Sequence, residues 1–325
     1  MLYYMVANFL KRRCLILMSF FGNLMNNYYY GKAGKGDYRI QDMPQNRFQL
    51  FGEVFKVRWS GIFGVNLLYM VFWLPTFIWS LIHFSMLFSG EEIIAGNTIQ
   101  SYFTIYLIGL VPCVAITGPF TAGATYVMRN WARDEHSFVW SDFWDAVKAN
   151  WKLALPVSVI SGFMPLLVYV SWLFYGQLAT DSVLYMVPMG LVLIVFTMWK
   201  LSEMVIYTMM VTYDLKLRDL LRNALLLTMA KLPLAIGVKL LTWIVPIITV
   251  LLLWFAPQIQ MYVFLIVTLV YLVYIPGFNR LIIASYANAL CEKYLNPNIE
   301  GAATNIGLRP ENWDDTEYLP EDDED

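Results

Sequence analysis

Between Ile93 and Met128 the chain carries no charged side chain; then residues 129–152 carry four basic and four acidic ones, set among Trp131, Trp140, Trp144 and Trp151. An uncharged apolar stretch of that length can cross about 30 Å of hydrocarbon as a helix. Trp at headgroup depth, followed by Lys and Arg on the water side, marks where such a helix leaves the bilayer. Residues 112–151 therefore constrain the fold more than any other stretch. The run is continuous rather than alternating, so it reads as a helix, which satisfies its own backbone groups in lipid.

Within this stretch Ala115, Gly118, Ala122 and Gly123 recur at helical spacing, which lets neighbouring backbones approach closely. Gly118, Pro119, Ala122 and Gly123 form a candidate helix-packing motif. The same residues also fit a Gly/Pro-broken helix lining a substrate cavity. Ser141 stands where an N-cap is expected, with Phe143, Trp144, Val147 and Trp151 on one face and Asp142, Asp145, Lys148 and Lys152 largely opposite. This pattern predicts a short helix lying on the cytoplasmic surface.

Composition agrees: of 325 residues 59% are hydrophobic and 14% charged, against roughly 25% charged in an average soluble domain. The net charge of −2 hides an asymmetry, because residues 311–325 hold nine acidic side chains and no basic one. The remainder has 22 basic against 15 acidic residues, a body of +7 suited to an anionic inner leaflet. Residues 296–325 are expected to be a disordered acidic tail. At the other end, 1–44 read as a cytoplasmic N-terminal segment, with 1–17 a possible upstream extension before Met18. Gly31, Gly34 and Gly36 with Lys32 and Lys35 lack the strand, helix and Ser/Thr of a phosphate loop and read as a flexible basic linker.

Residues 45–295 are expected to form an all-α polytopic membrane protein, a bundle of six transmembrane helices with cytoplasmic amphipathic interfacial helices. Spans are drawn at 61–88, 101–128, 153–175, 183–212, 232–256 and 259–275, with Pro75 bending the first. Phe48, Phe51, Phe55 and Trp59 give a juxtamembrane helix before the first span. Amphipathic surface helices are also expected over 214–231 and 280–295. Loops 89–100, 176–182 and 257–258 contain no Lys or Arg, whereas 129–152 and 213–231 contain four each and 29–58 six. The positive-inside rule then places both termini in the cytoplasm and the protein in the cell membrane.

Several short motifs form a familiar combination. Asn66-Leu67-Leu68-Tyr69, Gly118-Pro119-Phe120-Thr121-Ala122-Gly123, Tyr126-Val127-Met128-Arg129-Asn130, Phe143-Trp144, Asn150-Trp151-Lys152 and Arg222-Asn223-Ala224-Leu225 together resemble the YesL family of bacterial membrane proteins. The resemblance covers roughly residues 18–290. It implies a multi-pass membrane protein of unknown function, often encoded near carbohydrate-uptake genes, with no catalytic residues to carry over.

Ionisable groups inside a span are the default functional suspects, since each is costly unless paired or solvated. The candidates are Lys200, Glu203 and Lys239. Lys200 and Glu203, three apart on one helix, read either as a structural ion pair or as a water-filled or substrate-facing site. Depth along antiparallel helices also suggests a Glu203 to Lys239 bridge, which would leave Lys200 as the group needing another partner. Arg280, beyond Pro276-Gly277, is expected to snorkel to the interface. Cys14, Cys113, Cys291, His83 and His136 show no disulfide or metal spacing, and no catalytic motif appears, so neither cofactor, metal nor enzymatic activity is expected. Nucleic acid is not an expected partner; the lipid bilayer is, and so is a sugar-importer permease. The function expected is that of an accessory or assembly subunit associated with carbohydrate uptake, with a secondary transporter or permease for a small solute as the alternative.

Overall fold

The computed structural model describes residues 43–88, 99–255 and 257–310. The basic linker, residues 1–17 and the acidic stretch 311–325 lie outside the described residues. All contacts below fall within the compact unit Pro44–Asp314. Among the described residues there are ten α-helices and no strand: α1 Arg47–Val71, α2 Leu74–Phe88, α3 Ile99–Ala132, α4 Val139–Leu178, α5 Met186–Met210, α6 Leu217–Ala230, α7 Leu232–Thr242, α8 Ile244–Phe255, α9 Gln260–Val273 and α10 Ile275–Tyr294. Three segments, Ile99–Ala132, Val139–Leu178 and Val183–Met210, are long and apolar enough to cross a membrane unaided. Counting each sharply bent helix pair as one span raises the number to six. The chain is an all-α polytopic bundle.

Asn46 starts α1 by accepting the Gln49 N–H at 2.9 Å, while the Gln49 side chain accepts from Gln45 N–H at 2.9 Å, a variant of the capping box. The juxtamembrane helix and the first part of the apolar run are thus one helix, and the bend comes at Phe72-Trp73. There α2 departs by 63°, with Pro75 in its first turn, where a missing N–H does no harm. Phe72 stacks on Phe120 at 3.4 Å between ring centroids, with Trp144 edge-on at 5.8 Å, so the bend is packed against α3 and α4.

The α3–α4 pair is the backbone of the bundle. Val111 lies against Gly162, Gly118 against Ala154 and Ser158, and Gly123 against Phe143 and Val147, an antiparallel register in which each of these three approaches needs its glycine. A Cβ on Gly118 would come within 2.6 Å of the Ala154 carbonyl oxygen, and one on Gly123 within 2.8 Å of that of Phe143. Pro119 removes the N–H that would bond to the Ala115 carbonyl. Ser158 Oγ crosses from α4 to donate to that oxygen at 2.6 Å. Despite Pro112 and Pro119, α3 is unbroken.

Four expectations are corrected here. The short surface helix over 141–152 is the beginning of α4, a single helix of 40 residues. Its start is held by Asp142, whose carboxylate accepts from Ser137 Oγ at 2.6 Å and from Phe138 N–H at 2.8 Å, so Ser141 is not the cap. Residues 280–295 are not a separate surface helix: they belong to α10, packed on α1, α3 and α5, with Leu281, Ala284, Ala287 and Cys291 buried. Residues 296–310, read as part of a disordered tail, are ordered: Asn296 accepts from Tyr213 OH at 2.5 Å, and Arg309 N–H bonds the Pro44 carbonyl at 2.9 Å. Gly307 adopts φ +76, in the left-handed region, and a Cβ there would approach the Arg133 carbonyl oxygen at 2.8 Å.

The segment 232–256 divides at Trp243 into α7 and α8, and the segment 259–275 ends where α9 turns by 51° into α10. At 1.5 Å per residue α8 and α9 reach only about 18 and 21 Å, short of the hydrocarbon thickness. Between α6 and α7 the chain bends by 96° at Lys231. The amphipathic helix expected over 214–231 is α6, which buries Leu220, Ala224 and Leu227 while Leu225 is exposed.

Candidate functional site: a charged cavity in the bundle

Helices α3, α4, α5, α7 and α10 and the α1–α2 bend enclose a cavity of about 230 Å³. Each wall follows from its helix. On α5, Lys200, Glu203 and Tyr207 fall at i, i+3 and i+7 and so share one face. From α4 come Ser158 and Ser161, and from α3 Thr117 and Thr121, one turn apart on either side of Gly118-Pro119. Trp73 enters from the bend, Lys239 from α7 and Arg280 from α10. A second cavity of about 490 Å³ adjoins it, lined partly by Tyr69, Thr76, Ser80 and Asn279. Trp73, Lys239, Arg280 and Ile283 line both cavities.

Glu203 is the anionic centre. One carboxylate oxygen accepts from Lys200 Nζ at 3.0 Å and the other from Ser161 Oγ at 2.9 Å. Ser161 in turn accepts from Trp199 Nε1 at 2.9 Å. The acid is therefore fully engaged within α4 and α5. Its direct partner is Lys200, three residues away, and not Lys239: the anticipated bridge between α5 and α7 does not form. Both residues nonetheless line the same cavity, and Lys239 Nζ lies 5.9 Å from the centroid of the Trp243 ring.

Arg280 points inward, correcting the expectation that it snorkels. Its guanidinium carbon sits 5.7 Å from the Tyr69 ring centroid and 5.5 Å from that of Tyr207, and Nη2 donates to Tyr69 OH at 3.3 Å. Two aromatic faces thus hold the cation in place of a carboxylate. Tyr69 OH shares a 2.9 Å hydrogen bond with Thr121 Oγ1, which donates to the Thr117 carbonyl at 2.9 Å. With Lys200, Lys239 and Arg280 against Glu203, the lining carries three cations and one anion.

Of the sequence candidates, Lys200, Glu203 and Lys239 come together at this cavity. Gly118, Pro119, Ala122 and Gly123 are all buried at helix contacts behind it. The residues that sequence reasoning passed over are Tyr69, Tyr207, Ser161 and Trp73. Tyr207 could have been found from its position one turn beyond Glu203; nothing local marks the other three. His83 lies in a separate aromatic cluster, its ring 4.1 Å from that of Trp79 and 5.3 Å from that of Tyr102. Among the described residues no group of three or more His, Cys, Asp or Glu side chains is placed to hold a metal.

Long apolar helices around a charged interior define the class: an integral membrane protein of the all-α, polytopic kind. Residues 62–172 match the family described as "Protein of unknown function, DUF624", and the YesL resemblance is consistent with this family. No curated protein and no solved structure matches the chain. The matched segment includes most of the α3–α4 pair, Tyr69, Trp73 and the hydroxyls of Thr117, Thr121, Ser158 and Ser161; Lys200, Glu203, Tyr207, Lys239 and Arg280 lie beyond it.

Proposed function

We propose that the protein binds a small polar solute in the charged cavity and passes it through the bundle, as a secondary transporter or permease does. The observation that carries this reading is the convergence of Lys200, Glu203, Lys239 and Arg280, from three different helices, on one cavity. Ionisable side chains at membrane depth are costly and mark solute or ion pathways. The two adjoining cavities, about 230 and 490 Å³, have room for a small solute. Binding and passage need no catalytic residue, and the proposal is not that of an enzyme. The Lys/Arg distribution supports a place in the cell membrane with both termini cytoplasmic. The test is solute counterflow into proteoliposomes of the purified protein. Exchange that is present in the wild type and lost in Lys239→Met supports the reading, and absence of exchange across a panel of small sugars, carboxylates and phosphates counts against it.

A second reading makes the protein an accessory or assembly subunit beside a sugar-importer permease. It is favoured by α8, an apolar 12-residue helix with none of its residues buried, whose outward face, including Trp254 and Phe255, is open to lipid or to a partner. The resemblance to a family often encoded near carbohydrate-uptake genes supports it as well. Crosslinking and co-purification from native membranes test it: recovery of a permease that is lost on Trp254→Ala favours a subunit, and recovery of no permease opposes it.

A further inference from the structure

We infer that the ligand of the cavity carries an anionic group, a carboxylate or a phosphate, received between Lys239 and Arg280. This rests on the reading of the cavity as a solute site and names the chemistry of the solute. Part of the charge in the lining is already neutralised. Glu203 is satisfied on both oxygens by Lys200 and Ser161. That closes the one anion of the lining against its nearest cation and leaves Lys239 and Arg280 without a carboxylate at ion-pair distance among the described residues. Two cations facing one space repel each other and are costly in a bundle interior unless an anion or water lies between them.

Their arrangement suits an anion rather than water alone. Tyr69 and Tyr207 flank the Arg280 guanidinium, and although Nη2 donates to Tyr69 OH, its other N–H groups are left to form hydrogen bonds with a carboxylate or phosphate. Lys239 supplies a mobile point charge on the same shared wall of the two cavities. Trp73 Nε1, also on that wall, is buried with no acceptor. An indole N–H can only donate, so it too calls for an electron-rich partner. Two cations from two helices thus meet on the wall shared by the cavities, with no carboxylate at ion-pair distance among the described residues. The anionic group can come from a soluble metabolite or from a lipid headgroup, since both present the same oxygens.

The full-length protein is reconstituted in phosphatidylcholine nanodiscs, and its thermal midpoint is followed against inorganic phosphate, acetate and glucose at matched ionic strength. Phosphate or acetate is expected to raise the midpoint saturably, and glucose to leave it unchanged. Lys239→Met and Arg280→Gln should each weaken the anion at least about tenfold, the equivalent of one charged contact. Glu203→Gln, which frees Lys200, should tighten it. Lys148→Gln, at an exposed position, should leave it unchanged. If phosphate and acetate have no effect but replacing part of the lipid by phosphatidylglycerol stabilises the wild type and not Lys239→Met, the anion is that of a headgroup and the inference stands. No response to any of these anions, or weaker binding in Glu203→Gln, overturns it. A midpoint raised by glucose alone overturns the anion while leaving a solute site in place. A solute site itself fails only if the cavity is closed to water, which cysteine labelling of its wall reads directly.

Discussion

Gly277 donates its backbone N–H to the side-chain oxygen of Asn66 at 2.7 Å, while the Asn66 amide donates to the Leu272 carbonyl at 2.8 Å. Pro276 cannot supply the N–H that would otherwise bond to Leu272, so one buried side chain from α1 joins both sides of the α9–α10 break. Gly277 is needed for this approach, since a Cβ there would come within 2.8 Å of Asn66 Cβ and 3.0 Å of the Ile62 carbonyl oxygen. The clamp sets the direction in which α10 presents Arg280 to the cavity.

Asn66→Leu keeps the branching pattern and strands both backbone groups. A loss of about 1–3 kcal/mol for each is expected, read as a clear fall in the thermal midpoint of the detergent-solubilised protein. An unchanged midpoint would mean that the break is held by other contacts.

The α3–α4 contact makes a parallel prediction. Ser158→Ala leaves the Ala115 carbonyl without its donor and should destabilise by about 1–3 kcal/mol. Gly118→Leu should do far more harm, because its side chain must displace the backbone of α4. Equal, small effects of the two on unfolding would contradict the close approach described for Gly118.

The intramembrane charges should respond unequally. Glu203→Gln removes the partner of Lys200 and should destabilise, by less than the roughly 3–5 kcal/mol of a fully buried pair because both side chains retain some exposure. Adding Lys200→Met to it should recover much of the loss. Lys239→Met removes a cation with no carboxylate partner and is expected to be neutral or stabilising in the absence of ligand. A midpoint that falls as far for Lys239→Met as for Glu203→Gln would contradict the assignment of the pair.

The charge distribution also predicts sidedness. A cysteine at Asp181 should react with an impermeant thiol reagent from outside intact cells, and one at Glu135 should not. The reverse pattern would invert the topology.

Much of this architecture was legible in the sequence because apolar length acts locally. The small residues of α3 pointed to close packing for the same reason, and the unbroken α3 with Gly118 and Gly123 against α4 favours that reading over a broken helix. What was not legible arose from contacts between distant segments. Nothing in the pattern around Arg280 distinguishes a snorkelling arginine from one held between Tyr69 and Tyr207, since that choice depends on where α10 is directed by Asn66. Depth arithmetic brought Glu203 and Lys239 to the same level but carried no information on side-chain reach, and the neighbour at i−3, Lys200, took the carboxylate. The amphipathic start of α4 looked like a separate surface helix because periodicity records which face is apolar and not where a helix ends.

The most direct measurement is water access to the cavity wall. In a background with Cys14, Cys113 and Cys291 replaced, Val114→Cys on the cavity wall is compared with Leu251→Cys on the outer face of α8, using a small water-soluble methanethiosulfonate. Rapid labelling of Val114→Cys, slowed by phosphate or acetate, with Leu251→Cys inert, is the expected result. Equal inertness of the two would mean that the charges line a dry structural core and that the cavity takes no solute.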